Sequence, residues 1–292
     1  MRLSFLLINQ KILNPIYTIA YNPHLIREEN ISNVGSQLQN QIEIDNSHII
    51  IDSVSETYKF NLNLVPAEAD IIITPLSTAP LTIDVEWVIA ALLDFENYTQ
   101  GLFIHPQSLD SGADLRLKHG SVIGVIEDID GMQLKKLNTS IDYLKVDNAK
   151  KAFELLKSNK ISALFVNTLI EEQNFNQTDE NIAFIPINTK EMIPAAGSKA
   201  IAILCRKENI VLRKAIQNIH NKEVSQRTNL ERKTAQLLSP NETRSYCEAD
   251  SKGNFHLHIA SLRGIDQFRR AKVSQSTTTQ LIENTMIALN HS

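Results

Sequence analysis

The chain alternates between short runs of β-branched residues and longer stretches in which apolar positions recur at helical spacing. Strand-like runs are "YTIAY" (17–21), "SHIIIDSVS" (47–55), "ADIIITPL" (69–76), "SVIGVIE" (121–127), "SALFVNT" (162–168) and "KAIAILCR" (199–206). Helix-like stretches lie between them at 23–41, 84–95, 149–159 and 211–221, the last apolar at Val211, Leu212, Ala215, Ile216 and Ile219. Such alternation predicts α/β domains built on mainly parallel sheets.

From about residue 223 the pattern changes. A charged helix over 229–238 is followed by two strands, "RSYCEAD" and "NFHLHIASL", hinged on "SKGN", and by a closing helix in "STTTQLIENTMIALN" with Ser and Thr as caps. The expected division is therefore 1–98 with 195–216 as one α/β domain, 99–194 as a second, and 217–292 as a small C-terminal α+β domain. The polar stretch 170–184 reads as the most mobile loop.

Composition limits the function classes. With 292 residues, 42% hydrophobic and 21% charged, the chain reads as an ordinary globular protein. Its 29 basic and 33 acidic residues leave a net charge of -4, which gives no general attraction to nucleic acid or to an anionic membrane. The apolar stretch Leu6–Ile8 is too short for a secretory core and no later run is long enough to span a bilayer. A cytoplasmic monomer whose partner is a small molecule is the expectation. Cys205 and Cys247 have no metal-type spacing and read as free thiols.

Several fragments, in order, resemble the porphobilinogen deaminase (hydroxymethylbilane synthase) family. "IPAAGSKAIAILCRKEN" (193–209) resembles the family's P-A-x-G-Q-G-A-L stretch, and the segment 218–238, with Glu231 and Arg232, resembles its N-H-x-E-T…A-E-R-x-x-L helix. "LKHGSVIG" (117–124), "ADIIITPLSTAPL" (69–81), the segment 143–170 and "YNPHL" (21–25) resemble further family stretches. The resemblance implies two α/β domains like those of periplasmic binding proteins around a cleft, with a smaller α+β domain behind. It also implies tetrapyrrole biosynthesis: the head-to-tail condensation of four porphobilinogen units, with release of ammonia, on a cysteine-linked dipyrromethane.

The residues at the positions that carry this chemistry differ. Thr78 stands where the family has its catalytic Asp and cannot carry the negative charge, and positioned acid–base groups contribute roughly 10²–10⁴ in rate. Ile129 and Asp130 stand where an arginine pair should bind substrate carboxylates. Asp130 and Glu127 would there reverse an interaction of about 4 kcal/mol per contact pair. Lys145 and Lys151 match two family arginines and Lys199 replaces a glycine, so these three are the expected substrate-binding residues. Cys247 is the candidate anchor for the dipyrromethane, weighed against a thiol packed along a strand; the cofactor is expected to be absent.

Two functional readings follow. One is a divergent deaminase with little or no activity. The other is a non-catalytic protein that binds a small anion, or a partner, in the same cleft; convergence of Lys145, Lys151 and Lys199 on one cavity would favour it. His256 and His258 share one strand face but lack a third metal ligand, "EDIDG" (127–131) lacks the rest of a calcium loop, and "FRRAKV" (268–273) reads as a solvated basic face. No metal is expected.

Overall fold

The computed structural model describes residues 16–22, 26–44, 49–50, 62, 65, 67–83, 86–167, 182–262 and 267–292. In chain order these form β1 (Ile16–Tyr17), β2 (Ile19–Tyr21), α1 (Glu28–Gln39), β3 (Glu43–Ile44), β4 (Ile49–Ile50), β5 (Ile71–Pro75) and β6 (Trp87–Asp94). There follow β7 (Gln100–Ile104), β8 (Val122–Val125), α2 (Asp128–Leu137), β9 (Asp142–Lys145), α3 (Ala149–Lys157), β10 (Ala163–Asn167) and β11 (Ala183–Pro186). The last part comprises β12 (Ala200–Arg206), α4 (Ile210–Gln217), α5 (Lys222–Leu238), β13 (Thr243–Ala249), β14 (Phe255–Leu262), β15 (Phe268–Gln275) and α6 (Leu281–Asn290).

The expected fold class is present: mixed α/β with two sheet-containing lobes of periplasmic-binding-protein type and a smaller α+β unit. The first lobe holds the sheet β4-β2-β5-β12-β6 and the second the sheet β11-β7-β10-β8-β9. In both, three parallel strands are followed by one antiparallel strand, β12 or β7, and then by a strand that runs parallel to the first three. That antiparallel strand is in each case the first strand after the chain crosses between lobes. The second lobe's sheet comes from one continuous stretch, β7–β11, whereas the first lobe's sheet is completed only when the chain returns as β12.

The strand residues divide by parity, as the two-residue repeat of a pleated strand requires. Ile71 and Ile73 face a core with Ile31, Val34, Leu38, Leu212 and Ile216 from α1 and α4, while Ile72 faces a second core with Trp87, Leu204 and Val224 of α5. Likewise Ala163 and Phe165 face one core of the second lobe, and Leu164 and Val166 the other. Burial on both faces explains why these strands read as continuous apolar runs. Asparagines start three of the helices: Asn148, Asn209 and Asn221 accept backbone N–H bonds from the first turns of α3, α4 and α5.

Some expectations need correction. The helix expected over 84–95 is the strand β6, paired along β12. Its residues are apolar at nearly every position, so neither period shows, and Trp87, Val88 and Ile89 suit a strand walled by cores on both sides. "EDIDG" opens α2 rather than a turn, with Ile129 and Leu134 buried. The tail sheet has three strands, not two, because "FRRAKV" is part of β15. The stretch expected to be mobile lies mostly outside the described residues, as do 1–15 and 23–25. Among the described residues no helix is long and apolar enough to cross a membrane.

Gly197, in the second crossing, has φ +82°, and a Cβ there would lie 2.9 Å from Leu76 Cγ. Gly35 sits inside α1 with open space where its Cβ would go. Gly197→Ala is expected to destabilise the protein by about 2–3 kcal/mol, whereas Gly35→Ala stabilises it by about 0.5–1 kcal/mol. Urea unfolding of both variants checks this opposite pair of signs.

Candidate functional site

In each lobe the chain leaves the central parallel strand in one direction and returns on its other side: β2 leads through α1 to β4 and then to β5, and β8 leads through α2 to β9 and then through α3 to β10. Open α/β sheets present binding crevices at such points, outside the carboxyl ends of the strands. The residues placed there are Tyr21 and Asn22 at the end of β2, Thr74 to Thr78 at the end of β5, Glu127 and Asp128 after β8, and Asn167 closing β10.

The turn after β5 is the best defined part of this rim. Thr78 Oγ–H donates to the Pro75 carbonyl at 2.7 Å, so in its 2.8 Å contact with Thr74 the Thr74 hydroxyl is the donor. Thr78 is buried and its hydrogen bonds hold the turn. Its neighbour Ser77 has a buried Oγ with no hydrogen-bond partner among the described residues. Ser77 is the candidate ligand contact that sequence reasoning missed; only its place between Leu76 and Thr78 at a strand end could have signalled it.

The three lysines do not share a partner. Lys145, closing the edge strand β9, lies 2.6 Å from Asp128, and Lys151, in the first turn of α3, lies 2.8 Å from Asp147; both pairs are exposed. The hydrogen bond to Asp128 raises the affinity of Lys145 for its proton, and Asp147 does the same for Lys151. Lys199 Nζ lies 5.6 Å over the ring of Tyr246 in the C-terminal unit. Asp130 does not face a crevice, as the expectation of repelled substrate carboxylates required. Its two carboxylate oxygens each lie 2.9 Å from Arg244 of β13, in a two-pronged pair with Glu127 3.4 Å away. Burial, with the nearby Glu127, pushes Asp130 toward its neutral acid and the Arg244 fork pulls it back, while the two carboxylates keep Arg244 above its ordinary range.

The remaining chemical positions are also built into cores or ladders. Cys247 is fully buried among Leu230, Leu257, Ile259 and Leu281, and burial, reinforced by Glu231, pushes its thiol up to about 12. Cys205 is buried in β12, its thiol pushed by burial up to about 11. His258 is buried beside Tyr246, and burial holds its imidazole down to about 4. His256 contacts Ser274 at 2.7 Å and Asp250 at 3.3 Å. Among the described residues no group of three His, Cys, Asp or Glu could hold a metal ion.

Glu231 and Arg232 tie this unit to the first lobe. Glu231 accepts the Gly197 N–H at 2.7 Å on one oxygen and the Cys247 N–H at 2.8 Å on the other. Arg232 donates to the carbonyls of Leu76 and Ala79, at 3.1 and 3.2 Å, and to that of Pro80. The helix α5 thereby holds the very turn that presents Ser77.

Comparison with solved structures finds likeness at low identity. Substrate-binding domain 2 of GlnP from Lactococcus lactis, in an open conformation, is 12% identical with a TM-score of 0.40, over 70% of this chain and 87% of that one. The amino acid ABC transporter substrate-binding protein AbpA from Streptococcus pneumoniae, bound to L-arginine, is 12% identical with a TM-score of 0.37, over 70% and 86%. The P235GK mutant of ArgBP from T. maritima is 14% identical with a TM-score of 0.36, over 76% and 91%. No family profile matches the chain, and no curated protein matches it.

None of these solved structures is of a deaminase, which corrects the porphobilinogen deaminase resemblance and, with it, the tetrapyrrole reading. The described structure agrees: Thr78 holds a turn, Asp130 pairs with Arg244, and Cys247 is sealed in a core.

Burial pushes the Glu231 carboxyl up to about 7, against the two N–H bonds and the more distant Arg227 and Lys199. The folded chain thus holds a proton that the unfolded chain releases near pH 4–5. The resulting stabilisation is complete below that range and is lost as pH rises through about 7. Between pH 5.5 and 8.5 the wild type is expected to lose about 2 kcal/mol relative to Glu231→Gln, measurable by denaturant unfolding of both proteins across that range.

Proposed function

We propose that the chain binds a small polar molecule between its two lobes, at the carboxyl ends of β2, β5, β8 and β10, and performs no chemistry on it. The observation that carries this reading is the matched reversal of strand order in the two sheets, with the unpartnered Ser77 Oγ at one of the strand ends.

The chemistry at the rim supports binding over catalysis. The Thr78 proton is committed to the Pro75 carbonyl, and both cysteines are buried away from it with thiols held protonated. Lys145 and Lys151 are neutralised by their own aspartates, and Glu127 and Asp128 lie at the second rim. A zwitterionic or uncharged hydrogen-bonding ligand fits this balance better than a simple anion. Free amino acids are the class to try first, with L-arginine included because AbpA is solved with it.

Titration calorimetry with a panel of free amino acids, acetate and sulfate tests the reading. Saturable binding of one class is expected, weakened about three- to tenfold in Ser77→Ala through loss of one hydrogen bond, with the ligand recovered unchanged. Absence of heat across the panel, or turnover of the bound molecule, sinks it.

A further inference from the structure

Two crossings join the lobes, and the second, residues 187–199, is gripped from several directions. The Glu191 carbonyl accepts a hydrogen bond from Arg270 of β15 at 2.8 Å, the Met192 carbonyl one from Gln100 of β7 at 2.6 Å, and the Ile193 carbonyl one from Gln133 of α2 at 3.0 Å. Ile193 N–H returns a bond to Gln133 at 2.9 Å. Arg270 also bonds the Lys190 carbonyl, and Lys190 pairs with Glu248 of β13 at 2.9 Å. The Ile193 side chain is buried against Tyr246 and Ala260. A segment that bends freely leaves its carbonyls to water; here four consecutive residues have theirs bonded to side chains of the second lobe and of the C-terminal unit.

The same C-terminal unit is fastened to both lobes. Glu231 and Arg232 hold it to the first lobe and to the end of the crossing at Gly197, and the Arg244–Asp130 fork holds it to α2 of the second lobe. Any rotation of one lobe against the other about residues 187–199 has to break contacts on at least one of these sides.

We infer that the C-terminal unit is an interlobe lock that holds the two lobes at one separation whether or not a ligand is present. Arg244–Asp130 is its decisive contact, because it alone of these fastenings is a two-pronged ionic pair reaching α2 of the second lobe. Loss of Asp130 leaves the buried Arg244 with only the longer, half-exposed contact to Glu127 as counter-charge.

The test is a pulsed electron spin resonance distance measurement on the full, ligand-free chain labelled at Gln37→Cys in α1 and Glu154→Cys in α3, both exposed positions. Cys205 and Cys247 are buried and stay unlabelled. One narrow distance distribution is expected. Asp130→Asn is expected to broaden it or add a second population. Arg244→Lys, which keeps the charge but not the fork and so spares the fold, is expected to do the same to a lesser degree. A broad or two-population wild type overturns the lock, as do distributions in both variants as narrow as the wild type. Because no ligand enters the measurement, failure to find a ligand leaves the lock standing, and failure of the lock leaves the binding reading untouched.

Discussion

A buried carboxylate with two backbone N–H groups as its direct partners, Glu231, is the point on which the architecture turns. One of those N–H groups belongs to Gly197, where the chain re-enters the first lobe, and the other to Cys247, inside the C-terminal sheet. The residue itself lies in α5, whose first turn places Val224 in the core of the first lobe. Three segments distant in sequence therefore meet at one side chain. Its burial works against its charge, so this joint is held by hydrogen-bond geometry and packing rather than by ion pairing.

Arg232, the next residue, points its guanidinium at the turn 76–80, and Arg244 reaches α2 in the second lobe. Charged groups that are buried and forked in this way fix geometry, whereas the exposed pairs of Lys145 and Lys151 hold little. The chain path supplies the rest. Because β12 joins the first lobe's sheet only after the chain has passed through β7–β11 of the second, two crossings link the lobes, and the C-terminal unit bears on their relative placement.

The parts of the fold legible in the sequence were those dense in β-branched residues or carrying a clear apolar stripe. The Ile71–Ile73 run, the strand at 163–167 and the helix at 149–157 follow directly from β-branched density or from an apolar stripe with an asparagine cap. The run at 87–94 was not legible, since a strand walled on both faces and a buried helix share the same composition. Glu231 and Arg232 stood out as a pair, but their roles as acceptor and clamp depend on Gly197 and on Leu76, Ala79 and Pro80, which no spacing rule connects to them.

The site was less legible than the fold for the same reason. Asp130 read as a charge in an open loop because a sequence does not say which face of a helix meets another unit; its partner Arg244 sits 114 residues away in a strand. Ser77 carries no motif at all, and matters through the strand end on which it stands. A shared order of strands and turns was enough to suggest a family, while the expected site residues are scattered: Cys247 in a core, Thr78 in a turn, and Lys145 and Lys151 in exposed pairs.

Native-state amide hydrogen exchange at Gly197 and Cys247 tests the joint at Glu231 most directly. If Glu231 binds both N–H groups within one cooperative interface, the two amides exchange together, with protection close to that of the core strand β5, and both lose it in Glu231→Ala. Gly197 exchanging at the rate of an open turn while Cys247 remains protected would contradict the account.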